Sequence, residues 1–185
     1  EHLTASKVLD DLDSYHLKGG YGSGKIDGPD KYLKPAKSMF QKEMRKKTGY
    51  NSSNETWNTR IPKHTKIVQA RMREIQNGST LESLRGTGLE TAKHSHRVIH
   101  KDKFPNITVV SIPDDYIHYN TNLPRTLSVR ECARLQTFPD DFRFLGKRTT
   151  GGKRRRIEVP QYTQVANAVP PRMAEVFAKK LLEIL

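Results

Sequence analysis

The chain has 185 residues, 34% of them hydrophobic, and a formal charge of +13, spread as 21 Lys+Arg against 14 Asp+Glu in residues 1–125 and 12 against 6 in residues 126–185. A basic field of that breadth favours a polyanionic partner, DNA or RNA, and the low apolar content allows only a modest core. No apolar run is long enough to cross a bilayer and no signal-peptide pattern is present, while Cys132, the single cysteine, excludes an internal disulfide, so a reducing cytoplasm is expected. The chain begins at Glu1 rather than at methionine, as a processed or trimmed chain would.

In chain order, Thr4 caps a helix whose Ala5, Val8, Leu9 and Leu12 form one stripe. Gly19 to Gly24 then breaks regular structure. A second helix is predicted over Ser38 to Lys47, burying Met39, Phe40 and Met44 and leaving Lys42, Arg45, Lys46 and Lys47 in water. After polar, irregular residues 48–58, a third helix runs from Thr65 to Gln76, gathers Ile67, Val68, Met72 and Ile75, and stops at Asn77-Gly78. From Thr80 to Leu123 the apolar pieces are short. Arg97-Val-Ile and Ile107 to Ile112 are the strand candidates because of their β-branched residues.

Ser128 and Glu131 then form a capping box, with Leu127 and Cys132 placed as a hydrophobic staple, so a helix starts at Val129. Val129, Cys132 and Leu135 share a face, and Thr137-Phe-Pro-Asp140 ends the helix at Pro139. Arg130 and Arg134 can hold carbonyls or phosphates, with a structural role favoured for Arg134. The last helix opens at Val169-Pro170-Pro171. Phe177, Leu181 and Ile184 line one face, Ala174, Ala178, Leu182 and Leu185 widen it, and Lys179 and Lys180 sit near its favourable C-terminal end. Such a face predicts an interface, with the helix folded back, paired with a second copy, or bound to another domain.

The stretch Arg125-Thr-Leu-Ser-Val-Arg-Glu-Cys-Ala-Arg-Leu-Gln-Thr-Phe-Pro-Asp140, followed by Gln161-Tyr-Thr-Gln-Val-Ala-Asn-Ala-Val-Pro-Pro171, resembles the last two motifs of the DNA (cytosine-5) methyltransferase family, in the family's order and spacing. In that family a cytosine is flipped from the duplex, a cysteine thiolate adds to carbon 6, and a methyl group passes from S-adenosylmethionine to carbon 5. The resemblance implies an α+β fold: a small target-recognition region with irregular loops and short strands, and a C-terminal helix that packs on a Rossmann-like catalytic domain. It divides the chain into a recognition region (1–124), the penultimate motif with its basic loop (125–160), and the final motif with its helix (161–185). By match, Asn167, Ala168 and Val169 contribute to the cofactor pocket, although Ala166 stands where the family often has glycine. Ser128, Glu131, Arg134 and Pro139 build the motif that supports the recognition region.

The family's nucleophile follows a proline and its partner glutamate lies in Glu-Asn-Val; neither pattern occurs here. The chain therefore resembles the recognition and C-terminal portion of such an enzyme, expected to be inactive alone and to need a catalytic domain or subunit. The alternative is a sequence-specific DNA-binding module with no catalytic association. Base readout is assigned to Trp57, Asn58 and Arg60 and to the loop from Arg85 to Arg97, because arginine and asparagine offer paired donors to base edges. Lys153, Arg154, Arg155 and Arg156, with Lys147 and Arg148, form a basic tract that is equally readable as a phosphate contact or a solvated loop. A nucleoid-associated site is the expectation if the source is bacterial, and restriction-modification the expected setting.

Four further patterns carry less. Gln69-Ala-Arg-Met-Arg73 fits the family's Gln-x-Arg-x-Arg strand but scans as a surface helix. Gly19 to Lys25 mimics a phosphate loop, yet Ile26 stands where a serine or threonine would hold magnesium. His94, His96, His100 and Asp102 read as a basic loop rather than a metal site, and none is expected. Asn-x-Ser/Thr triplets at Asn51, Asn54, Asn77 and Asn106 mean little without an export signal.

Overall fold

Helix caps set the first element. In a computed structural model, which describes residues 2–12, 28–46, 55–93, 96–105, 116–149 and 157–185, α1 spans Ala5–Leu9, and the Thr4 hydroxyl accepts from the Lys7 amide. Its stripe is fully buried, Leu12 included. α2, Met39–Met44, starts from a capping box of Ser38 and Gln41. Two expectations for it are corrected. Met39 points outward at 68% exposure, because the helix turns Phe40, Gln41 and Met44 inward instead. Arg45 is not solvated: its guanidinium bonds Asp11 at 2.6 Å and lies 3.6 Å over the Tyr32 ring. Lys47 lies outside the described residues.

α3 spans Lys66–Gln76 with Thr65 as cap, and Gly78 takes φ +104° just beyond it, the left-handed stop glycine tolerates. Met72 and Ile75 are buried while Ile67 is half exposed, so the apolar stripe is narrower than its sequence. The Gln69–Arg73 pattern falls inside this helix, as expected of an amphipathic segment. Arg71 is buried there and donates to the Leu89 and Glu90 carbonyls at 2.5 and 2.6 Å.

Regular sheet is sparse among the described residues. β1 (Asp30–Lys31) pairs antiparallel with β2 (Glu55–Thr56), and β3 (Arg97–Val98) pairs parallel with β4 (Tyr116–Ile117). The Arg97 strand forms where expected; Ile107 to Ile112 and the Gly19–Gly24 loop lie outside the described residues. α4, Val129–Leu135, begins at the Ser128/Glu131 capping box. Its stop precedes Pro139: Thr137 takes φ 64° and the Phe138 amide donates back to the Ala133 carbonyl at 2.9 Å. α5, Gln161–Asn167, and α6, Pro171–Leu182, complete the α+β fold. No helix among the described residues is long and apolar enough to cross a membrane.

The main core unites Ala5, Val8 and Leu9 of α1, Phe40 and Met44 of α2, Val129, Cys132 and Ala133 of α4, and Tyr162 and Val165 of α5. Phe138, Phe142 and Phe144 close it with ring centroids 4.9–5.1 Å apart. A smaller core forms from Met72, Ile75, Leu84 and Ile117, with Val98 packed against it.

Candidate functional site

The arginines of the penultimate motif face inward. Arg125, Arg130 and Arg134 are among the largest fully buried side chains, a placement that requires complete pairing because an isolated buried charge is very costly. Arg134 meets that requirement with two carboxylates and a carbonyl. It donates to Asp140 at 2.8 and 2.5 Å, to Asp11 at 2.5 and 3.0 Å, and to the Val8 carbonyl at 2.9 Å. Tyr32 adds a 2.5 Å bond to Asp140. Burial works to raise the Asp140 pKa, but the Arg134 charge and hydrogen bonds outweigh it and hold the carboxyl below its usual range. Arg125 forks onto Glu131, both bonds 2.8 Å, and His118 lies 3.4 Å from the same carboxylate.

Among the described residues Arg130 has no carboxylate in hydrogen-bond contact; it gathers carbonyls. Nε donates to Trp57 at 2.8 Å, Nη1 to Pro139 at 3.0 Å and Nη2 to Phe142. Burial lowers its pKa. Beside it, Asn58 is buried at φ 65°, with its amide donating to the Phe144 carbonyl at 2.9 Å and accepting from the Phe144 amide at 3.1 Å. The donor and acceptor that suit Asn58 to base readout are both engaged by Phe144, so its buried side chain brackets two segments together. Cys132 is buried inside α4, where burial first and Glu131 second push the thiol pKa up. The environment suppresses the thiolate a nucleophile needs.

The other sequence candidates separate into two places. Trp57 and Arg60 sit beside the segment 143–149: Arg143 stacks on the Trp57 ring at 3.6 Å, and Arg148 donates to the Arg60 and Ile61 carbonyls at 3.1 and 3.3 Å. Lys147 is matched by Glu158 at 3.0 Å. Arg85, exposed and 3.8 Å from Glu82, and Arg97, exposed on β3, belong instead to the portion built on the smaller core. Lys153, Arg154, Arg155, Arg156 and His94 lie outside the described residues. Among the described residues no cluster of three or more His, Cys, Asp or Glu is placed to hold a metal.

Asn167, Ala168 and Val169 form the junction of α5 and α6. Asn167 and Val169 are exposed, while the Ala168 carbonyl accepts from Gln136 Nε2 at 2.9 Å. The Arg172 amide donates to Thr137 Oγ1 at 3.2 Å and its side chain pairs with Glu43, so the start of α6 is anchored on α2 and α4. Beyond that anchor none of its residues is buried. Phe177 and Leu181 are each 62% exposed and Ile184 is 81% exposed, a contiguous apolar face in water.

Asp11 and Tyr32 carry no signal in the sequence, and neither does the bracketing role of Asn58, since their partners lie 123, 108 and 86 residues away. The one local signal was Asp140 in Thr-Phe-Pro-Asp, six residues after Arg134.

A family model described as C-5 cytosine-specific DNA methylase matches residues 2–183. Type II methyltransferase M1.HphI of Haemophilus parahaemolyticus is 36% identical over 125 residues, covering 65% of this chain and 30% of the relative. Putative type II methyltransferase M.OihORF3336P of Oceanobacillus iheyensis is 33% identical over 162 residues, 85% of this chain and 29% of the relative. Type II methyltransferase M.AquIB of Picosynechococcus sp. is 46% identical over 72 residues, 38% of this chain and 50% of the relative. The chain thus aligns with half or less of the length of each of these relatives.

Proposed function

Because the chain belongs to the C-5 cytosine-specific DNA methylase family, we propose that it is the target-recognition and C-terminal portion of an S-adenosylmethionine-dependent DNA (cytosine-5) methyltransferase. It binds duplex DNA and completes the cofactor pocket, while residues outside these 185, in the same polypeptide or a partner subunit, supply the thiolate. The setting is type II restriction-modification in the cytoplasm, at the nucleoid if the source is bacterial. Residues 1–124 act in recognition, 125–160 support them, and 161–185 join the catalytic domain.

The observation that carries this reading is the bare apolar face of α6, which begins immediately after Asn167-Ala168-Val169. Burying a Leu, Ile or Phe side chain is worth about 1.5–3 kcal/mol, so a second apolar surface covering Phe177, Leu181 and Ile184 recovers several such contributions. Docking there sets the exposed Asn167 amide and Val169 side chain against the same partner. An exposed amide beside an apolar group suits one wall of a pocket for S-adenosylmethionine, whose bound sulfonium supplies the transferable methyl. The buried Cys132 takes no part.

The test is methyl transfer from labelled S-adenosylmethionine to duplex DNA by the chain alone and by the chain combined with a catalytic portion carrying a Pro-Cys nucleophile. Transfer only in the combination is expected. Transfer by the chain alone would refute the division of labour, and duplex binding without any gain in transfer would leave the non-catalytic DNA-binding module.

A further inference from the structure

Arg143 was not singled out by any motif, yet it is the exposed cation most deliberately placed among the described residues. Its guanidinium carbon lies 3.6 Å from the centroid of the Trp57 ring, the face-on geometry in which a ring holds a cation flat. Both residues sit on backbone held from beneath. Arg130 takes the carbonyls of Trp57 and Phe142, the residue just before Arg143. Asn58, just after Trp57, brackets Phe144, just after Arg143. The indole also abuts Gly28 closely, where a Cβ would come 3.1 Å from Cε3. Two buried side chains thus fix the spacing of a half-buried indole and an exposed guanidinium from segments far apart in sequence.

That order is not spent on an internal acid. Among the described residues Arg143 makes no ion pair, Asp30 on the neighbouring strand is taken by Thr59, and Glu158 by Lys147. Arg60, Lys63 and Arg148 add positive charge along the same two segments. A guanidinium laid flat on an indole presents its N–H edge sideways, as a planar fork that matches paired acceptors.

We propose that the Trp57–Arg143 pair is a DNA contact in which the Arg143 fork engages paired acceptor atoms of the duplex. The inference rests on the reading of the chain as part of a DNA-modifying enzyme and adds to it a residue and a geometry. Two features of DNA offer such acceptors: the oxygens of a backbone phosphate, and the O6/N7 edge of guanine in the major groove.

The experiment uses the complete protein, chain plus catalytic portion, and measures affinity for a random-sequence duplex pool, salt dependence, and the sequences enriched from that pool. Variants are Arg143→Ala, Arg143→Lys and Arg143→Gln, the last keeping a planar group on the indole without charge, each checked by thermal unfolding. A phosphate contact predicts uniform weakening in Arg143→Ala, a salt slope shallower by about 0.9, and near-complete rescue by lysine. A guanine contact predicts about a 5- to 150-fold loss on preferred sequences in both Ala and Lys variants, with relaxed preference for one guanine. If Arg143→Ala lowers the unfolding temperature, Arg143→Gln decides. Affinity, slope and enriched sequences like those of the unsubstituted protein would overturn the contact. Failure of the unsubstituted protein to bind any duplex overturns the proposed function together with it.

Discussion

Replacing Arg134 with methionine keeps most of its volume and removes the one charge that ties α1 to the turn after α4. The guanidinium is fully buried and makes five hydrogen bonds, to Asp140, Asp11 and the Val8 carbonyl. Removing one partner of a buried pair costs about 3–5 kcal/mol, because the other charge stays behind unpaired. Two carboxylates are left here, but Arg45 still holds Asp11 and Tyr32 still donates to Asp140, so a loss of about 4 kcal/mol is expected rather than twice that. Against a typical total of about 5–15 kcal/mol, that is a large fraction. The loss should depend on pH. With Arg134 present, the folded Asp140 pKa is depressed, so its contribution is present above the ordinary carboxylate pKa and fades as pH falls through the depressed value. With Arg134 gone, burial dominates and raises that pKa, so the variant loses stability as pH rises from about 4, the unfolded value. The gap between the two proteins therefore widens toward neutrality. Urea unfolding at pH 5 and pH 7 measures it. A loss below about 1 kcal/mol at pH 7, or one equal at both pH values, would refute the assignment of Arg134 as a paired buried charge.

Cys132 should resist a thiol reagent in the native chain and react once urea unfolds it, since burial withholds the thiolate; rapid native labelling would contradict its placement. Cys132→Ser should accordingly leave methyl transfer by the complete enzyme intact wherever the fold is kept. Ser128→Ala removes the acceptor of the Glu131 amide at 3.1 Å and should cost about 1 kcal/mol in urea unfolding, whereas Glu131→Ala, which strands Arg125 and His118, should cost several times more. Phe177→Glu with Leu181→Glu should leave the urea midpoint of the chain unchanged, because both side chains are exposed. The same pair should weaken association with the catalytic portion more than about 100-fold, measured by light scattering or titration.

Local signals were readable because each is closed within a few residues. Thr4, Ser38, Thr65 and Ser128 all cap the helices their sequences announce, since a cap needs only the amide two or three positions on. Ser128 and Glu131 even form the reciprocal pair expected of them. The misreadings share one cause: a side chain whose environment is made by distant chain. Arg45 scans as a solvated lysine-like position, and becomes half-buried only because Asp11 and Tyr32 arrive beside it. Asn58 has the donor pattern of a base reader, and only Phe144, 86 residues on, claims it. The apolar face of α6 was legible as a periodic pattern, while its exposure depends on which other elements reach it. Arg143 had no periodicity or motif to mark it; its significance arises when segments 57–60 and 142–148 meet.

The three carbonyls gathered by Arg130 bear on how this architecture tolerates change. With strands only two residues long among the described pieces, the meeting of segments 55–61 and 139–148 is set by a side-chain fork and the Asn58 bracket rather than by a ladder of amides. A ladder transmits a one-residue insertion along its whole length by shifting register. A point anchor does not, and lengthening the intervening loops costs only about 0.6 kcal/mol per doubling. Exposed loops between such anchors can be exchanged, grown or shortened while the anchors keep their geometry, provided Arg130 stays arginine, since the compact ammonium of lysine has no planar fork to reach the Trp57, Pro139 and Phe142 carbonyls together. A scaffold pinned in this way accommodates loop replacement, and grafting a foreign loop between its anchors is the engineering route it offers.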